Sequence, residues 1–488
     1  MRRLSLLLVI ALGVIVALLP AAASTQSADE TLVALEVDGS PLIVGDGERI
    51  GARVTLSEPA DLRLRVVDYD GRLVRQLYDG PRQPGVLNQG WFGRDADGEF
   101  VARGPYRVVA AATDEGGRVE RAEAWVTVAD RAIYPTAPEL ITVVVDPGHG
   151  GDYDGAVGPD GTREADLNLD IGLRLARMLE GAGIDVVLTR STDDNVNTPP
   201  QERTDDGVID YDDELAARPD VANLARADLF LSIHNNTAVN TSVGGPSTFY
   251  FDERPFGARN ARLAGIVQEE MVAALAEVVG GDWEPYDHGA LIYPYYVLRG
   301  YDPPRLRRPT QMPGVLSEGM FLSNPRELTL LGRRGVRAAL AAAYYDALSK
   351  YLARRGAHIG YALVDGPTQA VPAAETITYR VEVTNKANED IRGWRMKVLA
   401  VEAADRYVSR IRDAVTVGEA EIPRLGPGER ALLEIEVGAP DGGEWTLLFD
   451  ARDDRGDRAA EMGVPLLQVP LTVVTPEPSA SLSGAPPD

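Results

Sequence analysis

Cysteine is absent from the 488-residue sequence, and histidine is scarce, with four residues. Without cysteine the chain forms no disulfides, has no thiolate nucleophile and offers no thiol for a lipid anchor. Any zinc or similar metal site must therefore be built from histidine, aspartate or glutamate side chains.

Basic residues are few relative to acidic ones. The chain has 49 Lys and Arg residues against 74 Asp and Glu residues, which gives a formal net charge of −25. Such an excess of negative charge repels phosphates and anionic lipids, so we expect no nucleic-acid partner and no charge-driven membrane docking. The length exceeds what one hydrophobic core usually supports and predicts two or three domains.

Charged residues are also missing from the apolar run Leu4–Leu19, which follows Arg2 and Arg3 and precedes the small residues Ala21–Ala23. The run is shorter than the roughly 20 residues that span a bilayer. We therefore predict a secretory signal peptide at residues 1–24 rather than a membrane anchor. The protein is expected to be exported, to the cell envelope, the periplasm or the medium.

Three composition regimes follow the signal segment. Residues 30–130 and 361–475 contain alternating strand-like stretches separated by glycine-rich turns, which favour two β-sandwiches. Residues 140–356 alternate strand and helix patterns, which predicts a central α/β domain with a mainly parallel sheet. The polar, proline-rich residues 476–488 are expected to be a disordered tail.

Two of the four histidines follow predicted strands of the central region. His149 follows Ile141–Val145, and His234 follows Leu229–Ile233. Because functional groups collect at the carboxyl ends of strands in open α/β sheets, both imidazoles are expected at one sheet edge. Glu164, at the start of the next predicted helix, is the natural third ligand for a zinc ion with an open water position.

Glu318 is a candidate general base beside that site. It follows the short strand-like run Val315–Ser317 and has apolar neighbours such as Met320 and Phe321. Burial among them would raise the pKa of the carboxyl group, which suits a group that takes and returns a proton.

The residues around these candidates carry four motifs in order: VDPGHGG, EADLNL, ADLFLSIHNN and LSEGMFLSNP. Over about residues 140–354 this order resembles the zinc-dependent N-acetylmuramoyl-L-alanine amidases, the type-3 amidase domain of cell-wall hydrolases. The resemblance implies one Zn²⁺ held by His149, Glu164 and His234, with Glu318 as the catalytic carboxylate. It also implies peptidoglycan as substrate, cleaved between N-acetylmuramic acid and the L-alanine of the stem peptide.

The first strand-rich region carries a second resemblance. The segment DYDGRLVRQLYDG, with GWFGRDADGEFVARGPYRV after it, resembles the immunoglobulin-like domain of flagellar hook-capping proteins. This resemblance implies a fold and no chemistry. The two immunoglobulin-like regions are expected to dock cell-wall or envelope partners or to space the central domain.

For several residues the sequence leaves more than one interpretation open. Asp146 either orients a metal ligand or holds the Pro147–Gly148 turn. Asn235 stands where the family usually has a small residue, and His288 is either a substrate contact or a surface histidine. The acidic stretch Asp193–Glu214 is expected to be a solvated loop, with a lid or a calcium site around Asp210, Asp212 and Asp213 as alternatives.

Two other functions remain open at this point. One is a zinc-dependent cell-wall peptidase that holds a terminal carboxylate with an arginine. The other is a non-catalytic wall-binding scaffold that uses the β-sandwiches.

Overall fold

The computed structural model describes residues 31–43, 48–130, 141–204, 206–254, 256–279, 286–300, 302, 305–353, 359–367, 370–386, 390–402, 415–452 and 467–475. The proposed signal segment 1–24 and the tail 476–488 lie outside these residues. Among the described residues, no helix is both long and apolar enough to cross a membrane.

The N-terminal region consists of two sheets that share one hydrophobic core. A three-stranded sheet has the order β1-β3-β6, and a five-stranded sheet has the order β2-β8-β7-β4-β5. Their strands are β1 (Val33–Asp38), β2 (Leu42–Ile43), β3 (Ile50–Leu56), β4 (Ala60–Asp68), β5 (Leu73–Arg82), β6 (Gly85–Trp91), β7 (Gly104–Asp114) and β8 (Val119–Ala129). Alternate residues of β4 are buried, so Leu62 and Leu64 pack with Val54 of the other sheet.

The central region contains one six-stranded sheet with the order β10-β9-β11-β14-β12-β13. The sheet is mixed and mostly parallel, because only the β12–β14 pair is antiparallel. Its strands are β9 (Thr142–Pro147), β10 (Asp185–Leu188), β11 (Leu229–Asn236), β12 (Ser247–Tyr250), β13 (Ala290–Ile292) and β14 (Gly314–Phe321). The helices are α1 (Glu164–Gly181), α2 (Tyr211–Leu224), α3 (Gly257–Val279), α4 (Pro325–Leu331) and α5 (Arg334–Ala353).

The central strands are buried on both faces, which explains their continuous apolar sequences. Val143 and Val145 of β9 belong to the core formed with α1, α3 and α5. Val144 points the other way and packs with Ala222 of α2. The sheet edge where β9 and β11 end therefore carries the loops that deliver polar side chains.

The C-terminal region forms one hydrogen-bonded sheet of eight strands, in the order β15-β17-β20-β19-β18-β21-β22-β16. The strands are β15 (Ile359–Asp365), β16 (Val371–Pro372), β17 (Thr376–Asn385), β18 (Arg395–Glu402), β19 (Val415–Glu421), β20 (Arg430–Gly438), β21 (Gly443–Arg452) and β22 (Leu467–Val474). Strands β19 and β20 meet at one pair, Gly418 and Val437. Residues from both parts of the sheet, such as Val398 and Ile435, share one core.

The N-terminal region packs directly on α1 of the central region. The Thr127 hydroxyl donates to the Met178 carbonyl at 2.6 Å, and the Ser40 hydroxyl donates to the Gly181 carbonyl. Arg103 lies at the same interface, 2.9 Å from the carboxylates of both Asp130 and Asp346. The N-terminal region is thus fixed to the far end of the helix that begins at Glu164.

Candidate metal centre

The pairing of β9 with β11 brings two histidines together. Pro147 and Ile233 are partners in this parallel pair. His149 lies two residues after β9, whereas His234 lies within β11, because that strand continues past Ile233 to Asn236. The two imidazole rings lie 4.8 Å apart and nearly perpendicular. His149 adopts a left-handed backbone conformation, with φ of 61°, which turns the chain sharply after the strand.

Glu164 is the first residue of α1 and points back at both imidazoles. Its Oε1 lies 3.0 Å from His234 Nδ1, and its Oε2 lies 3.2 Å from His149 Nε2. One ligand atom from each of the three residues lies within 4.8 Å of the others. Burial alone raises the pKa of Glu164, but hydrogen bonds with the two imidazoles outweigh it and lower that pKa overall.

This set of donors fits a zinc ion. Two imidazole nitrogens and one carboxylate are the ligands of many catalytic zinc sites, which keep a fourth position open. With metal–ligand bonds of about 2.0–2.1 Å, tetrahedral ligands stand about 3.3 Å apart. Each imidazole nitrogen has one Glu164 oxygen at about this spacing, 3.0 Å for Oε1 and 3.2 Å for Oε2, and one ligand atom from each residue lies within 4.8 Å of the others.

Glu318 lies in β14 directly beside His234, its partner in the parallel pair with β11. The residue is 7% exposed, and its Oε2 has no hydrogen-bond partner among the described residues. Burial, and to a lesser extent the Glu164 charge, raise the pKa of Glu318 well above the usual glutamate value. An unpartnered buried carboxyl oxygen is costly in a folded protein and often marks a functional group.

A cavity of about 760 Å³ opens over the cluster, and Glu318 and the three candidate ligands line it. Tyr293 and Tyr295, whose rings lie 4.6 Å apart, form part of one wall. Tyr211 also lines the cavity, and its ring packs at a tilt against that of Tyr153, with 4.4 Å between the ring centroids.

Asn235 supports the carboxylate of Glu164. Its backbone N–H donates to Glu164 Oε1 at 3.1 Å, and its side chain donates to the Asn168 amide oxygen. Asn168, one turn along α1 from Glu164, donates to Glu164 Oε1 and to the Gly148 carbonyl, both at 3.2 Å. These bonds fix the orientation of Glu164 relative to the histidine loop.

Sequence comparison matches two parts of the chain to known families. Residues 143–350 match the N-acetylmuramoyl-L-alanine amidase family, and residues 40–116 match the FlgD Ig-like domain. The chain is 30% identical over 210 residues to the uncharacterized protein YqiI of Bacillus subtilis, a match that covers 43% of this chain and 84% of that protein. The chain belongs to the N-acetylmuramoyl-L-alanine amidase family.

Two further relatives within the amidase family show the extent of the likeness. The germination-specific N-acetylmuramoyl-L-alanine amidase of Bacillus subtilis is 28% identical over 218 residues, 44% of this chain and 81% of the relative. The solved structure of the amidase AmiC2 of Nostoc punctiforme is 28% identical, with a TM-score of 0.34, and the match covers 44% of this chain and 98% of that one.

Asp146 and His288 lie outside the cluster of metal-binding side chains. The Asp146 carboxylate is fully buried and accepts hydrogen bonds from Thr189, Ser232 and Arg218, at 2.6 to 2.7 Å. His288 lines a separate cavity of about 370 Å³, where its Nε2 lies 3.0 Å from the Gly244 carbonyl.

Most described residues of the acidic stretch 193–214 form the exposed, irregular loop expected of it, and only its end differs. Its last residues begin α2, and Asp213 and Glu214 are buried. Asp210 and Asp213 form a capping box, in which each side chain accepts from a backbone N–H of the helix start. Because these carboxylates complete a helix terminus, the calcium alternative loses its support.

Sequence reasoning missed two buried arginines beneath the histidine loop. Arg190 and Arg218 are 5% and 3% exposed, and both donate to backbone carbonyls of residues 147–149. Burial, with the nearby Arg218 charge, lowers the pKa of Arg190 to about 10. The signal for Arg190 was present, since it follows β10 at the same sheet edge as His149.

Proposed function

We propose that this chain is a zinc-dependent amidase that hydrolyses the bond between N-acetylmuramic acid and the L-alanine of the peptidoglycan stem peptide. The proposal rests mainly on one observation. Glu164 and the imidazoles of His149 and His234 lie together in one cavity, and Glu318 Oε2, which has no hydrogen-bond partner among the described residues, lines the same cavity. Membership of the amidase family supplies the bond that is cut.

His149, Glu164 and His234 would hold the ion. When bound, zinc supplies a Lewis acid that activates water and stabilises negative charge on the carbonyl oxygen under attack. A divalent cation held by these three residues would favour the ionised form of the nearby Glu318 and so oppose part of the rise in its pKa caused by burial.

Glu318 performs the proton transfers in this account. As a carboxylate it accepts the proton of the attacking water through Oε2, the oxygen without a partner. The new carbon–oxygen bond forms in this attack. The same oxygen then donates the proton to the departing amine of alanine as the bond between carbonyl carbon and nitrogen breaks. Burial raises the pKa of Glu318, which suits a group that both takes and gives a proton.

The regions on either side of the central domain are consistent with a function in the cell wall. We propose that residues 1–24 direct export and that the protein acts in the envelope or outside the cell. The N-terminal and C-terminal β-regions are proposed to dock envelope partners. The immunoglobulin-like assignment of the C-terminal region is part of this proposal.

A zinc-dependent cell-wall peptidase is the second candidate. Arg299 and Arg305 line the same cavity as the metal cluster, and either guanidinium would suit a terminal carboxylate. The two functions differ in products, because a peptidase shortens stem peptides without releasing them from the glycan.

Replacement of Glu318 tests the proposed chemistry. The variant Glu318→Gln is expected to retain one zinc per chain and to release stem peptides from purified sacculi at least about 1,000-fold more slowly. Glu180→Gln, on the exposed far end of α1, serves as the matched control and should behave as wild type. Release by Glu318→Gln at close to the wild-type rate would eliminate the assigned role.

A further inference from the structure

The peptide bonds on both sides of His149 are each held by a buried arginine. Arg190 Nη2 donates to the Gly148 carbonyl at 2.9 Å, and that carbonyl belongs to the peptide before His149. Arg218 Nη2 donates to the His149 carbonyl at 2.9 Å, in the peptide after it. Together these bonds fix the rotation of both peptide planes that set the backbone of His149.

His149 needs such support because its conformation is strained. Its φ of 61° lies in the left-handed region, which a residue with a side chain adopts only when its surroundings enforce it. The loop cannot relax easily, since Arg190 Nε and Arg218 Nη1 also donate to the Pro147 carbonyl, at 2.8 and 3.2 Å. Three successive carbonyls are thus bound by two guanidinium groups.

Arg190 also joins the histidine loop to the helix that carries Glu164. The same Nη2 atom that binds the Gly148 carbonyl donates to the Ala165 carbonyl at 2.7 Å. Ala165 follows Glu164 in the first turn of α1. The planar guanidinium therefore spans the backbone next to two of the three candidate ligands.

Arg218 connects the loop to the acidic stretch. Its Nη2 lies 3.0 Å from Glu214 Oε1, and the two carboxylate oxygens of Glu214 accept the backbone N–H groups of Val196 and Asn197. Asp193 binds the Gly151 N–H and the Arg163 guanidinium, beside the two ligand segments. These contacts attach parts of the acidic stretch to the segments that carry the candidate ligands.

We propose that Arg190 and Arg218 are positioning residues that hold His149 and Glu164 in the arrangement needed to bind zinc. The proposal rests on the metal site of the proposed function. It adds a backbone clamp, by which we mean the hydrogen bonds from the two guanidinium groups to the carbonyls of residues 147–149. Arg190 is the better residue to test. Its four hydrogen bonds go to backbone carbonyls, so its removal leaves no buried carboxylate stripped of a partner.

The experiment compares zinc affinity in full-length variants, measured with zinc chloride in competition with a chromophoric chelator. Outer-shell changes typically weaken metal binding by roughly 10–100-fold, and we expect a loss of that size in Arg190→Met. Arg174→Met is the matched control, because Arg174 is equally buried on α1 but pairs with Asp170, away from the loop. Circular dichroism and thermal unfolding verify the fold of each variant.

Arg190→Lys separates geometry from charge. A lysine keeps the positive charge but cannot span the Gly148 and Ala165 carbonyls with a planar fork, so its zinc affinity should recover only in part. At saturating zinc, kcat of Arg190→Met should fall more than KM rises. Zinc affinity in folded Arg190→Met equal to that of Arg174→Met, or full recovery in Arg190→Lys, would overturn the proposal.

Two further outcomes are decisive. If Arg190→Met does not fold, Arg218→Lys gives the same comparison, since it keeps a cation beside Asp146 and Glu214 but loses the fork that reaches the His149 carbonyl. Unchanged zinc affinity in that variant would contradict the clamp. If wild-type protein binds zinc but leaves sacculi intact, the amidase function fails, while weaker zinc binding by Arg190→Met still supports the clamp.

Discussion

Gly148 lies directly against the imidazole ring of His234. A Cβ atom built on Gly148 would come within 2.2 Å of ring atoms Cε1 and Nε2 of His234. The glycine before His149 is therefore required by the close approach of the second histidine, independently of any backbone strain at that position.

Gly148→Ala should damage the metal site selectively. The added methyl group must displace the His234 ring, so we expect zinc affinity to fall by at least roughly tenfold, with a stability loss of about 1–3 kcal/mol. Gly335→Ala adds the same methyl group in α5, where nothing lies within 4 Å, and should leave zinc binding unchanged. Equal zinc affinity in the two variants would show that His234 is not held as described.

Glu164→Gln should remove the metal. The amide has no negative charge and places a donor where the backbone N–H groups of Ala156 and Asn235 need an acceptor. Zinc content measured by mass spectrometry after gel filtration should fall to a small fraction of wild type, as it should in His149→Ala. A zinc content of one ion per chain in both variants would show that the metal binds elsewhere in the chain.

Gly181→Val should loosen the N-terminal region. A Cβ on Gly181 would lie 2.5 Å from the Thr127 hydroxyl and 3.1 Å from the Val126 backbone, at the interface with α1. We expect a loss of about 1–3 kcal/mol in the free energy of unfolding and faster proteolysis of the N-terminal region. Gly265→Val, in α3 with nothing within 4 Å, controls for the helix substitution; identical protease sensitivity would argue against a tight interface.

Tyr293→Ala should weaken substrate binding and leave zinc in place. Tyr293 is 52% exposed, and its ring packs at a tilt against that of Tyr295 on the cavity wall. Loss of one aromatic contact is worth about 0.5–1.5 kcal/mol, so KM should rise roughly two- to tenfold. Tyr286→Ala, at the separate cavity beside His288, is the control. If the two variants have equal KM values, Tyr293 does not contribute to substrate binding.

The candidate ligands could be predicted because each follows from a local pattern. His149 lies just beyond the apolar strand β9 and His234 lies near the end of β11, and adjacent parallel strands end at one edge of a sheet. Glu164 begins the helix that follows the first of these loops. Glu318 was placed at the end of a short strand, whereas β14 continues to Phe321 and presents Glu318 beside His234.

The residues that support the site were harder to predict, because charged side chains usually indicate solvent. Asp213, Glu214 and Arg218 are buried in a helix that contains Pro219. Arg218 pairs with Glu214 on the same helix and with Asp146, which is distant in sequence. His288 precedes β13 and Tyr293 follows it, so neighbours in the sequence occupy different cavities. Such placements depend on tertiary packing, which a single sequence does not reveal.

Mass spectrometry of purified sacculi digested with the zinc-loaded, full-length protein tests the central claim most directly. The account predicts free stem peptides that begin with alanine, together with glycan strands whose muramic acid carries no peptide, and no release after EDTA treatment. Stem peptides that stay attached to glycan but lose residues from their far end would contradict it and favour the peptidase.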